Sequence, residues 1–256
     1  MMDFTGTRAE IQQRMAATRD LAARRMAVLH ELSPRRGERI LEIGCGAGLL
    51  LREIGLSVGA HGLAAGVDIS PDQIAAAERE CDGVPGVRAA VGSIAGLEWP
   101  DAVFDAAVAE HVLEYLDDPR AALFELRRVM KAGARLVVLA TNWDADFWHG
   151  PEPELTNPVV AAWRAEVPWP NLPAQLGPML AAAGFSATRQ VPVPVVNSGL
   201  GEDTVALWMS RLLAVAAEES GAQARPASWL AALDRADAAG EFFYSSVPIL
   251  TTAVAV

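Results

Sequence analysis

The spacing of apolar positions changes several times along the chain. Between residues 8 and 32, Ile11, Met15, Leu21, Met26 and Leu29 recur at helical intervals, which predicts one or two helices closed by Pro34 and Gly37. Short unbroken apolar runs then alternate with helical patterns. "RILEIG" (39–44) predicts a buried strand and "AGLLLREIGLSVG" (47–59) the helix after it. "LAAGVDIS" (63–70) predicts a second strand, followed by a helix at 70–81 with Ser70 as N-cap, Pro71 at the first helical position and Gln73 at the third. "VRAAVGSI" (87–94) and "FDAAVAEHV" (104–112) read as strands, "PRAALFELRRVMK" (119–131) as a helix, and "ARLVVLATNW" (134–143) as a fifth strand. Regular alternation over roughly the first 145 residues implies a parallel sheet with helices on both faces.

After Trp143 the regularity fails. The proline- and aromatic-rich stretch 144–173 is expected to be an inserted cap or a long connection. A helix closed by Gly184, a strand-like segment at 187–196, helices near 202–217 and 226–239, and a terminal strand at 245–256 complete the reading.

Composition narrows the possibilities without deciding between them. Of 256 residues, 52% are hydrophobic, enough for a sizeable core. No apolar run is long enough to span a bilayer, and no basic stretch followed by an apolar one opens the chain, so neither a membrane span nor a signal peptide is expected. Two cysteines, Cys45 and Cys81, give neither a disulfide framework nor zinc-ligand spacing, and a reducing cytoplasm is the expected compartment. The net charge of −11 argues against nucleic acid as a partner, and the basic clusters at 23–25, 34–36 and 127–128 read as solvated helix faces.

The chemistry concentrates at the first strand-to-helix turn. Gly44, Gly46 and Gly48 allow positive φ and a close ligand approach, next to a helix N-terminus with unpaired N–H groups. Asp68 ends the second strand, where a carboxylate can accept both hydroxyls of a ribose. A dinucleotide site spaces its glycines more widely and rests a diphosphate on the helix. Here the third glycine comes early and Glu42 lies beside the turn, which suits a ligand with a cationic amino group and leans towards S-adenosylmethionine.

"ILEIGCGAGLL", "GVDISPDQIAAAE" and "FDAAVAEHVLEYLDDPRAALFELRRVMKAGARLVVL" together resemble the successive motifs of class I S-adenosylmethionine-dependent methyltransferases, in the quinone-biosynthesis and type 11 small-molecule branch, over residues 24–145. "MLAAAGFSATRQV" is similar to that family's late helix and strand. The resemblance implies an α/β, Rossmann-like, doubly wound and mostly parallel seven-stranded sheet with a helical or irregular cap inserted after the fifth strand. It further implies N-terminal helices (1–36) over the cofactor site, a cofactor-binding core (37–145), and cap elements with the last strands (146–256). Glu42, Gly44, Cys45, Gly46 and Gly48 would surround the methionine part of the cofactor, Asp68 and Ile69 the ribose and adenine, and Ser93 and Ile94 the adenine edge. Glu110 and His111 would lie near the methyl group. Two departures stand out: Ser93 occupies a place where many relatives carry Asp, and Ala132-Gly133-Ala134 replaces the usual Pro-Gly-Gly turn.

His111 is the candidate general base, because histidine is the side chain whose ordinary pKa lies near neutrality and this one follows the fourth strand. Packing against the cofactor is the alternative role. Trp143, Phe147, Trp148, His149 and Trp163 follow the fifth strand, with Trp169 beyond them and Trp208 on a later helix. They either line an apolar substrate pocket or fasten the insertion to the sheet. No metal site is expected. The expected activity is methyl transfer to a small, partly apolar acceptor by a monomer or homodimer. An NAD-dependent oxidoreductase and a non-catalytic S-adenosylmethionine-binding protein are the competing readings.

Overall fold

The structure is a computed structural model describing residues 6–221 and 223–256, so the first five residues of the N-terminal segment lie outside the described residues. In chain order the strands are β1 (Arg39–Ile43), β2 (Leu63–Asp68), β3 (Val87–Val91), β4 (Phe104–Glu110), β5 (Met130–Thr141), β6 (Phe147–His149), β7 (Phe185–Pro192), β8 (Val195–Asn197), β9 (Phe243–Ser246) and β10 (Pro248–Ala255). The helices are α1 (Gly6–Ala16), α2 (Arg19–Leu32), α3 (Leu49–Val58), α4 (Pro71–Glu80), α5 (Pro119–Val129), α6 (Pro153–Glu166), α7 (Leu172–Ala182), α8 (Val205–Glu219) and α9 (Pro226–Ala238).

Seven strands form one sheet in the order β3-β2-β1-β4-β5-β10-β7. The first five run parallel, and β10 lies antiparallel to both β5 and β7. Each central strand is apolar on both faces, which is why the sequence shows unbroken runs. In β1, Leu41 and Ile43 pack with α5 and α7, while Ile40 packs on the opposite face with α2 and α3. Strand order reverses between β1 and β4, and the crevice above their carboxyl ends is where such sheets bind ligands.

The second half of the chain departs from the sequence reading in instructive ways. The segment expected to be a cap or a long connection folds in large part into α6, because Pro153 sits in its first turn, where a missing N–H does no harm. The expected strand at 187–196 is two strands, interrupted at Pro192 and Pro194, and the terminal strand is likewise divided before Pro248. In each case one piece stays in the main sheet, while β8 and β9 join β6 in a separate sheet ordered β6-β9-β8. Gly133, with φ +76°, forms no separate turn but lies within β5, where the pairing with β4 slips from Met130 to Arg135.

The small sheet, α1, α6, α8 and α9 share a core of their own, built around Trp163, Trp229, Tyr244, Met209 and Leu213. Trp163 and Trp229 are fully buried, which contributes roughly 4–6 kcal/mol each before entropy is subtracted. The cap is therefore a packed body, and α1 is tied to it by charge. Arg8 is buried and donates to Glu166 of α6 at 2.7 and 3.0 Å and to Glu219 of α8 at 2.6 and 2.9 Å. Arg8→Ala is expected to lower stability by about 1–3 kcal/mol in denaturant titrations, and to raise hydrogen exchange in α1 more than in β1 or β4.

Candidate active site

A cavity of about 530 Å³ opens over the carboxyl ends of β1, β2 and β4 and continues under the cap. Its sheet-side end is built by the glycine turn. Gly44 has φ +67°, and a side chain there would meet Val112 at 2.3 Å, so both conformation and space demand glycine. Gly46 faces open space, and its N–H donates to Asp68 Oδ2 at 3.0 Å. Asp68 Oδ1 accepts from Ser70 N at 2.9 Å, and since a carboxylate offers about four acceptor positions, it keeps capacity for two ribose hydroxyls.

Glu42, Asp68 and Glu110 line the same end. Glu42 is buried, its Oε2 has no hydrogen-bond partner, and burial together with the charges of Glu110 and Asp68 pushes its carboxyl well above the usual range. A ligand carrying positive charge relieves both conditions, so these residues fit S-adenosylmethionine, whose ammonium and sulfonium groups are cationic. Glu110 is itself paired with Arg24 Nε of α2 at 2.9 Å. Arg24 and the half-buried Arg25 thus face the cavity, not solvent as the basic cluster at 23–25 suggested, because α2 lies across the glycine turn.

His111 stands where the two ends meet. It adopts φ +52°, a conformation rare outside glycine, and is held there by its N–H to Leu139 O at 2.8 Å. Its Nδ1 lies 2.9 Å from Glu114 Oε1 and 3.3 Å from Thr141 Oγ1. Glu114 is wholly buried and also accepts from Thr141 N at 3.3 Å. A carboxylate only accepts, so Nδ1–H is the donor of this pair and Nε2 is left outside it. Nε2 is buried with no protein partner. Backbone strain and an unpaired polar atom thus coincide at one residue.

The cap-side end is mainly apolar, lined by Met15, Leu21, Trp143, Trp163, Met209 and Leu212, with Tyr115, Tyr244 and Ser246 among them. Of the residues expected from sequence, the cavity brings together Glu42, Gly44, Cys45, Gly46, Asp68, Ile69, Ser93, Ile94, Glu110, His111, Trp143 and Trp163. Cys45 contributes backbone, since its thiol is buried beside Gly66 and pushed far up by that burial. Gly48 stands behind the lining, at φ +85°, where α4 packs so closely that a side chain would meet Ala77 Cα at 2.8 Å.

Phe147, Trp148, His149 and Trp208 stand outside the cavity wall. Strand alternation sends Phe147 and His149 to the outer face of the small sheet, stacked on each other, and sends Trp148 into the cap core against Tyr244 and Trp229. Trp208 donates to Glu202 O and lies beneath Arg14. Sequence reasoning missed Arg24, Glu114, Tyr115, Thr141, Tyr244 and Ser246. Only Glu114 left a signal, three residues after His111, where a single helical turn brings the two together.

Comparison with known proteins agrees with this geometry. Residues 41–138 match the family model described as a methyltransferase domain, a span that begins in β1 and ends in β5. Over those residues the chain is similar to the type 11 S-adenosylmethionine-dependent methyltransferases. It is 29% identical over 136 residues to an uncharacterised 37.1 kDa protein in transposon Tn4556 of Streptomyces fradiae, a match that takes in 53% of this chain and only 39% of that protein. The fold is similar to that of the [4+2]-cyclase SpnF, with 22% identity, a TM-score of 0.57, and coverage of 94% of this chain and 84% of that one. It is also similar to geranyl diphosphate C-methyltransferase from Streptomyces coelicolor A3(2), with 17% identity, a TM-score of 0.57, and coverage of 92% and 77%.

A glutamate whose folded-state value is raised binds more protons in the folded than in the unfolded chain. Glu42 therefore subtracts stability as pH rises from the ordinary carboxylate range through its folded value. Glu42→Gln is expected to raise Tm at pH 8 by several degrees, with little change at pH 4, while weakening S-adenosylhomocysteine binding; thermal melts and calorimetry at both pH values check this.

Proposed function

We propose that the chain transfers the sulfonium methyl group of S-adenosylmethionine to a small, partly apolar organic acceptor held between the glycine turn and the cap. The observation that carries this reading is a single cavity with an acidic end suited to a cation, an apolar end, and the unpaired His111 Nε2 at their junction. When bound, the cofactor supplies a methyl group already activated on sulfur. Gly44, Cys45 and Gly46 contribute close backbone, Asp68 the ribose contacts, Ser93 and Ile94 the adenine edge, and Glu42 and Glu110 the charge complement. His111, oriented by Glu114 and Thr141, takes the proton from an acceptor O–H or N–H as the new bond to carbon forms. Trp143, Trp163 and the apolar side chains of α8 align the acceptor and exclude water.

In this reading residues 1–36 cover the cofactor, 37–145 bind it, and 146–256 supply the acceptor wall together with the last strands. The chain works in the cytoplasm as a monomer or homodimer. Among the described residues no helix is long and apolar enough to cross a membrane. The apolar half of the cavity favours acceptors of quinone or specialised metabolism, and geranyl diphosphate, named for the Streptomyces coelicolor neighbour, is a partly apolar substrate of that kind. A second reading, cofactor binding without methyl transfer, draws on the neighbour named as a [4+2]-cyclase.

Calorimetric titration separates these. S-adenosylhomocysteine is expected to bind and NAD not to, and Asp68→Ala is expected to weaken the former by about 10-fold or more. Binding of NAD in its place would overturn the assignment. In a screen of hydroxylated and aminated acceptors, His111→Ala is expected to slow transfer by about 10²–10⁴-fold while leaving S-adenosylhomocysteine affinity near its wild-type value. Binding with no transfer to any acceptor would favour the second reading.

A further inference from the structure

A second polar cluster lies in the cavity wall, carried entirely by the cap side of the fold. Asp146 accepts from Ser246 Oγ at 2.6 Å and from Tyr244 Oη at 3.3 Å. Both hydroxyl residues line the cavity and both are buried, Tyr244 at 1% exposure and Ser246 at 5%. The tyrosine ring is clamped against Trp148, with ring centroids 4.3 Å apart. Serine and tyrosine arrive on adjacent inward positions of β9, and Pro248, two residues after Ser246, is paired with Thr141, which touches His111. The cluster and the His111–Glu114 pair are thus neighbours along one edge of the sheet. The proposed reaction uses only the second of them.

The hydrogen-bond bookkeeping gives this cluster a direction. Burial pushes the Asp146 carboxyl up to about 7, while its two hydroxyl partners and Arg164 pull it back, so above neutrality it is a carboxylate and accepts only. Each hydroxyl has one hydrogen and an Asp146 oxygen within reach, and Ser246 also contacts the Tyr244 hydroxyl, so the hydrogens are shared inside the cluster. What the oxygens retain is lone pairs. At Tyr244 and Ser246 the cavity wall therefore offers acceptors.

We infer that Tyr244 and Ser246, oriented by Asp146, recognise a hydrogen-bond-donating group on the acceptor, a hydroxyl or an amine distinct from the atom that is methylated. The inference rests on the methyl-transfer reading of the cavity and adds to it a substrate class: acceptors with two separated donor groups, one facing His111 and one facing Tyr244. Acceptors whose second polar group is an ether or a ketone leave that group facing lone pairs and are disfavoured. Tyr244 and Ser246 are the binding residues here, and Asp146 is a positioning residue.

The probes are resorcinol and its monomethyl ether, titrated at pH 8 into protein saturated with S-adenosylhomocysteine. Both retain one hydroxyl for His111 and differ by a single donor. Resorcinol is expected to bind about 10-fold more tightly. Tyr244→Phe, which keeps the ring and its packing, is expected to bring the two within about 2-fold while leaving S-adenosylhomocysteine affinity unchanged. Asp146→Asn supplies the independent readout. An amide can donate to Tyr244 and free its hydrogen to turn into the cavity, so the preference is expected to shift towards the ether, which loss of structure alone would not produce. An unchanged preference in both variants, no preference in the wild type, or no binding of either probe to the saturated protein would each overturn the inference and leave methyl transfer standing. Failure of the protein to take S-adenosylhomocysteine would overturn the underlying reading and this inference with it.

Discussion

Glu42 stands one residue before the end of β1, an inner strand of a sheet that is apolar on both faces, and its side chain is buried. One oxygen has no partner, and the nearest other charges at that end of the cavity include two more carboxylates. Burying such a group is among the most costly things a fold can do, and proteins keep the arrangement when a ligand completes it. The surroundings are organised accordingly. The glycine turn removes side chains that would fill the space, Asp68 pins the turn through Gly46, and α2 brings Arg24 and Arg25 across the opening. The acidic end is a negative charge pattern held ready by packing, and the rest of the site is arranged around the cation it fits.

Strain is confined to the same edge. His111 occupies a left-handed backbone conformation, Glu114 is buried beside it, and an imidazole nitrogen is left unbonded. Each feature costs on the order of 1–3 kcal/mol in isolation. They persist because β4 and β5 are locked by pairing on both sides and by large cores above and below. A rigid sheet can hold an unfavourable local geometry that a loop would relax.

This division also explains what the sequence made legible. Elements of the sheet announce themselves, because buried parallel strands must be apolar throughout and the helices between them amphipathic, and "RILEIG" or "ARLVVLATNW" can be little else. Asp68 and the glycine turn were readable for the same reason: their chemistry depends on positions fixed relative to strand ends. The cap obeyed no such period. Its strands are three or four residues long, below the length at which alternation can be detected, and Pro153 marks a helix start that resembles a loop. Tyr244 and Ser246 reach the cavity only because β9 leaves the main sheet at a proline, a tertiary event with no local signature. Phe147 and Trp148 were indistinguishable by composition, yet one-residue alternation put one outside and one in the cap core.

The three separate cores have a consequence for how such a protein can change. Side chains that anchor the cofactor end belong to the clusters on either face of the sheet, whereas most of those lining the far end belong to the cap's own cluster. Substitutions in bodies that share few contacts add nearly independently. Met209, Leu212 or Trp163 can therefore be exchanged, reshaping the chamber, with little disturbance to the carboxylates and glycines below. The far end of the chamber can thus be remodelled over evolutionary time while the electrostatics of the acidic end stay fixed, since the residues that line the far end are not those that hold the sheet together.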